Sequence, residues 1–195
     1  MYKRQVGDLV LGTVTSPDQL NITTTGRILD LNGGASNGIA QGITLSSTVA
    51  GDIGDAVDPI EAIAETFGAT TADGSIYLTQ FSSAGAISGV TAGGAGNDVG
   101  LIGAAGNLRL GSVTAAGTVT VKVDAGALVD DNGAAMNITA QRAELTVRDN
   151  IATSANPLET SVAELLTTVV TPAGGTFISE ANLSSLTVKT KDGSV

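Results

Sequence analysis

The chain has no cysteine, no histidine and no tryptophan among its 195 residues. Without cysteine there are no disulfides and no thiolate metal sites, and without histidine no imidazole acts as a base or a metal ligand. Aromatic residues make up only 3%, so the large rings that usually supply buried area in a round core are missing. Charge is sparse, at 14%, and lopsided: 19 acidic residues against 9 basic ones give a net charge of -10. Such a chain repels phosphate backbones and anionic membrane surfaces, which argues against nucleic acid as a partner and against membrane insertion. No stretch approaches the roughly 20 apolar residues that cross a bilayer. No apolar run follows Lys3 and Arg4, so no targeting segment is visible.

Hydrophobic residues nevertheless reach 42%, and glycine alone contributes 26 residues. The apolar content is valine, isoleucine, leucine and alanine spread thinly along the whole length, which suits a narrow, layered core. The opening Met1-Tyr2-Lys3-Arg4-Gln5 looks like a translated adaptor remnant, as at the end of a metagenomic fragment, and is set apart as a non-native leader.

The chain repeats itself. Gly7-Asp8-Leu9-Val10-Leu11-Gly12-Thr13-Val14-Thr15 matches Gly106-Asn107-Leu108-Arg109-Leu110-Gly111-Ser112-Val113-Thr114, 99 residues later. Leu29-Asp30-Leu31-Asn32-Gly33 matches Val129-Asp130-Asp131-Asn132-Gly133, Asp58-Pro59-Ile60-Glu61 matches Asn156-Pro157-Leu158-Glu159, and Gly74-Ser75-Ile76 aligns with Gly175-Thr176-Phe177. The blocks stay collinear, so two copies of one unit are expected. The first spans residues 6–103 and the second 104–190, with 191–195 as the start of a further unit or a tail.

Within each copy, brief alternating runs such as Leu20-Asn21-Ile22, Ile43-Thr44-Leu45 and Val119-Thr120-Val121-Lys122-Val123 show the period of a half-buried strand. Turn-forming clusters such as Asn32-Gly33-Gly34 and Asp130-Asp131-Asn132-Gly133 separate them. Strands this short build a solenoid more readily than a wide sandwich, because each need only be one side of a coil. An array of up-and-down or Greek-key strands is the rival. One segment breaks the rhythm: Asp58-Pro59-Ile60-Glu61 and Asn156-Pro157-Leu158-Glu159 carry helix-start signals, namely a cap, a proline and an acid in the first turn. Repeat context favours an extended coil side there, with a short helical turn after each Asn/Asp-Pro as the alternative.

Taken together, Gly-x-Leu-x-Leu-Gly-Ser/Thr-Val-Thr, then Asp-x-Asn-Gly, then Ile151-Ala152-Thr153-Ser154-Ala155-Asn156-Pro157-Leu158-Glu159-Thr160 resemble the large β-strand-repeat proteins related to filamentous haemagglutinin. The likeness covers residues 7 to about 189. The first copy departs from it at Asp58 and Ala62. The resemblance implies an all-β chain folded as a right-handed parallel β-helix, part of a long exported adhesin or surface scaffold. It transfers no catalytic residue.

Three acids are candidate weak calcium ligands: Asp98, Asp52 and Asp55. Gly93-Gly94-Ala95-Gly96-Asn97-Asp98-Val99-Gly100-Leu101 nearly fits the calcium-binding nonapeptide of β-rolls, but Gly100 stands where a large apolar residue belongs and the next nine residues do not repeat the pattern. A glycine-rich connector between the two units is the plainer expectation. Asp52, Asp55 and Asp58 cluster in one loop, yet the second copy has Asn150, Thr153 and Asn156 in their place, as expected of solvent-facing turn acids. No paired-carboxylate, nucleophile-elbow or phosphate-loop pattern occurs, so no catalytic residue, cofactor or metal is assigned and the chain is not expected to be an enzyme. The expected role is a structural or adhesive segment of a large secreted or cell-surface bacterial protein. Its partners would be host or neighbouring-cell surface glycans or proteins, with self-association through solenoid ends. Two alternatives are the non-catalytic part of a carbohydrate-active β-helix enzyme and a calcium-stabilised β-roll segment.

Overall fold

A computed structural model describes residues 1–171 and 174–190. Among these, every regular element is a β-strand and every strand pairs in parallel with its neighbours. That pairing excludes the up-and-down and Greek-key rivals, whose strands run antiparallel. The chain is a parallel β-solenoid.

Two ladders run its length. On the first, Leu9, Ile28, Ile53, Ile76, Val99, Val119, Ala143, Leu165 and Leu186 are successive rungs in strict register. Nine rungs make eight full turns, or roughly 40 Å of stack at the usual strand spacing. On the second, Ile22, Leu45, Ala69, Val90, Val113, Ile138 and Thr160 stack in the same way. The alternation seen in the sequence sets which side chains point in: Leu9–Leu11 is buried-exposed-buried and Thr118–Val123 buries each valine. The ladders meet across a single thin core. Gly38 on the first ladder lies so near the second that a Cβ there would stand 2.6 Å from Ile43 Cδ1. Among the described residues Phe67 is the one fully buried aromatic ring in a core made mostly of aliphatic side chains, which explains how so few rings suffice.

The chain crosses from one ladder to the other nine times between Leu9 and Leu108. The repeat unit is therefore four and a half turns, not a whole number. Leu9 stacks on Ile28 in the first ladder, whereas its counterpart Leu108 stacks on Leu128 in the second. Each copy interrupts two of its coil sides with loops. Loops 31–37 and 54–59 leave the first ladder, and their counterparts 131–137 and 152–157 leave the second. The two copies thus carry the same loops on opposite faces.

After Pro59 and Pro157 the backbone is extended: strands Ile60–Ile63 and Leu158–Val169 follow directly, and the alternative of a helical turn is not taken. Proline is tolerated there because it precedes the strand and removes no ladder hydrogen bond. One alignment shifts. Ile151 stacks on Thr176 as Ile53 stacks on Ile76, so Thr176, not Phe177, is the counterpart of Ile76, and Phe177 matches the outward-facing Tyr77. The boundary between the copies at 103 and 104 leaves no break, since Ile87 pairs with Leu110 and Val99 with Val119 across it. Tyr2–Gln5 adds a first rung on Asn21–Thr24, with Lys3 at the position that Leu101 fills in the second copy. Residues 191–195, expected to begin a further unit or a tail, lie outside the described residues.

Candidate functional site

Acidic and amide side chains recur at the coil corners, directly before an inward aliphatic residue. Each accepts a hydrogen bond from a backbone N–H of the following coil. Asp8 takes that of Arg27 at 2.8 Å, Asp52 that of Ser75 at 2.7 Å, and Asp98 that of Thr118 at 2.6 Å. In the second copy Asn107 takes the N–H of Ala127 at 2.9 Å and Asn150 that of Gly175 at 2.8 Å. The side-chain oxygen substitutes for a ladder carbonyl where the strand turns away, so the corner N–H keeps a protein partner. A glycine precedes the donor because the carboxylate sits on top of it: a Cβ on Gly26 or Gly117 would stand 2.3 Å from the oxygen of Asp8 or Asp98. At Asp8 the N–H of Arg27, followed by its guanidinium, holds the carboxyl below the usual range.

This assigns the three calcium candidates. Asp52 and Asp98 are corner acceptors. Asp55 is exposed and closes its own loop, accepting the N–H of Val57 at 2.7 Å and of Asp58 at 2.8 Å. Its counterpart Thr153 accepts the N–H of Asn156 through its hydroxyl at 3.1 Å, so a neutral residue performs the same task. The structure does not gather the three acids, and among the described residues no three acidic side chains are placed to hold a metal ion together. The glycine-rich stretch 93–98 is also not a connector between separate units. It is a corner inside the continuous stack, tied to the coil below by Asn97, whose amide donates to Asp73 Oδ1 at 2.8 Å.

A different polar cluster stands out, one assembled from residues the sequence had separated. Under loop 31–37, Asn37 is 1% exposed. Its amide donates to Asp30 Oδ1, to Asn32 Oδ1 at 2.6 Å and to the Leu11 carbonyl at 3.2 Å, while its Oδ1 accepts the N–H of Glu61 at 2.9 Å. Asparagine alone offers donor and acceptor at this reach, which suits it to bridging one coil to the next. The second copy rebuilds the arrangement. Asn137 donates to Asp130 Oδ1 at 2.7 Å, Asn132 Oδ1 at 2.8 Å and the Leu110 carbonyl at 2.9 Å, and accepts from the N–H of Glu159 at 2.8 Å.

Four buried carboxylate oxygens in these clusters have no partner: Asp30 Oδ2 and Glu61 Oε2, and their counterparts Asp130 Oδ2 and Glu159 Oε2. Copy one adds a third acid, Asp58, where copy two has Asn156. Glu61 is 4% exposed, and burial, followed by the negative charge of Asp30 and then of Asp58, pushes its carboxyl up to about 7. Burial and the nearby Asp30 raise Asp58 as well. Burial opposes ionisation of Asp30 too, but the N–H of Asn32, the Asn37 amide, the N–H of Leu31 and Asp58 outweigh it and hold that carboxyl low. The ion pairs among the described residues leave the first cluster untouched: Arg27 joins Asp8, Lys122 joins Asp124, and Arg142 joins Glu144 and Glu164, while Arg109 pairs with Asp131 at the start of loop 131–137 in the second copy.

Beside loop 54–59 the outer face carries a shallow groove of about 230 Å³, lined by Asp55, Pro59, Tyr77, Gly100, Thr120 and Lys122. Tyr77 folds its ring over Gly100, where a Cβ would stand 2.6 Å from Cδ1. No protein-family model, curated protein or solved structure matches this chain.

Proposed function

We propose that the chain is a structural and adhesive segment of a large secreted or cell-surface bacterial repeat protein. It works as a stiff rod that presents repetitive polar faces and paired loops to glycans or proteins on another surface. The observation that supports this reading best is the double ladder that keeps its register past every loop, with the loops of its two copies on opposite sides. A rigid axis with loops on both faces multiplies weak contacts without new chemistry at any one of them. The similarity of the repeat pattern to filamentous-haemagglutinin-like proteins points the same way. A direct test displays the chain on beads and measures retention on cell surfaces and glycan arrays, alongside a variant with loops 31–37 and 131–137 shortened. Retention that depends on bead density and falls in the shortened variant is expected. Retention equal to uncoated beads overturns the proposal, as does cleavage of a polysaccharide by the purified chain, which favours the enzyme alternative.

A further inference from the structure

The carboxyl cluster under the first pair of loops is a costly arrangement with no structural necessity, since the second copy folds the same coils with one acid fewer. Buried carboxylates are ordinarily paired with a cation or hydrogen-bonded donors. Here Asp30 is held through Oδ1 by donors from Asn32 and Asn37, but its Oδ2 and Glu61 Oε2 have neither cation nor donor. The groups around them come from every neighbouring element. Strand Ile28–Asp30 brings Asp30, and loop 54–59 brings Asp55 and Asp58. Loop 31–37 and the coil below contribute only the neutral Thr13, Asn32 and Asn37. The following strand, Ile76–Gln80, places Thr79 in register with Glu61, and its Tyr77 lies in the outer groove. Across the core stand Leu20, Ile22, Ile43, Leu45 and Phe67. No basic side chain among the described residues pairs with any of the three acids. A proton is the one positive charge that this surrounding admits without rearrangement.

We propose that Asp30, Asp58 and Glu61 form a proton-operated latch on the first copy. Protons held among the three carboxyls keep loops 31–37 and 54–59 seated on the coil, and their release to solvent sets three like charges against each other and frees the loops. Loops 131–137 and 152–157 stay seated, because Asn156 carries no charge, Glu159 is partly exposed, and Asp131, the acid that stands where the first copy has Leu31, is paired with Arg109. The rod then offers two different faces: one whose loops respond to acidity and one whose loops do not. The latch does not depend on what the loops bind, so it stands or falls apart from the adhesive role.

Hydrogen exchange on the full chain, corrected for the intrinsic pH dependence of exchange, reads both loop pairs in one experiment. Between about pH 5 and about pH 8 the amides of 31–37 and 54–59 should lose about tenfold or more in protection relative to 131–137 and 152–157. Glu61→Gln, which keeps the shape and removes the titration, should leave the first loops protected at both pH values, and Asp58→Asn should shrink the response. Parallel behaviour of the two copies overturns the latch, and so does an unchanged response in Glu61→Gln. Restoration of protection by calcium at the higher pH, reversed by a chelator, also overturns it and marks a cation site. Where the variants do not fold, the Glu61 carboxyl of the unaltered chain is followed by carbon-13 NMR. A midpoint well above the ordinary glutamate range supports the latch, and a midpoint within that range overturns it.

Discussion

The two copies of the unit fold the same coils from diverged sequences: the buried fillers change, with Ser47 and Phe67 answered by Val147 and Leu165, while the polar frame at the corners and under the loops is kept. The framework is held constant: Asn37 and Asn137 bridge the same groups, Asn137 adding the Gly111 carbonyl at 3.3 Å, and Asp52 and Asn150 accept the same corner N–H. What varies beside that frame, outside the core, is charge. Where the first copy places Asp55 and Asp58, the second places Thr153 and Asn156, with backbone hydrogen bonds preserved. The comparison separates residues that build the solenoid, which must keep their donors and acceptors, from residues free to tune it.

The sharpest test of that division is a matched pair of core truncations. Ile53→Ala and Ile151→Ala remove fully buried rungs at equivalent places, and each should cost about 3 kcal/mol in denaturant unfolding. Clearly unequal costs would mean that the copies are not equivalent scaffolds. Next come Asn37→Ala and Asn137→Ala, each of which leaves a Glu N–H without its acceptor and strips the amide donor from an aspartate that keeps only the backbone donors beside it. Both should lose about 2–3 kcal/mol by the same measurement, and a small loss at either would show that the bridge is not shared. A smaller effect, about 1 kcal/mol, is expected for Asp98→Ala, which removes a single corner bond to Thr118. The melting transition of that variant and of the unaltered chain should be equally indifferent to a calcium chelator, since the carboxylate serves the backbone.

The smallest effects concern charge. The folded chain binds the Glu61 proton more tightly than the unfolded chain does, so the stability this group contributes is complete below the ordinary glutamate range. It is lost as pH rises to about 7. Asp58→Asn should therefore raise the thermal midpoint slightly at neutral pH, and Asn156→Asp should lower it. If both changes move the midpoint in the same direction, the contrast between the copies has been misassigned.

Much of the fold was legible in the sequence, because a solenoid writes its geometry locally. Runs such as Leu20-Asn21-Ile22 announce strands, and the match of Asp30-Leu31-Asn32-Gly33 to Asp130-Asp131-Asn132-Gly133 announces the repeat. The site was far less legible. Asp52 and Asp98 attracted attention through their neighbours in sequence, but the groups they serve, the N–H of Ser75 and of Thr118, lie a coil away. Glu61 read as the first-turn acid of a helix, or as an ordinary strand position. Its partner Asp30 belongs to the preceding coil, and only the placement of loop 31–37 decides that Glu61 is covered. Spacing also counts residues without recording which side of the stack they reach, so the half turn in the unit left no mark in the pattern.

That half turn governs how such a chain can grow. Because four and a half windings separate equivalent residues, duplicating one unit does not extend an existing row of loops but starts a row on the back. A row is resumed only when units are gained or lost in pairs. An engineered chain with one unit removed would carry everything downstream rotated to the other flank while its core chemistry stayed intact. Antibodies or probes raised against one flank would register the deletion as a change of side.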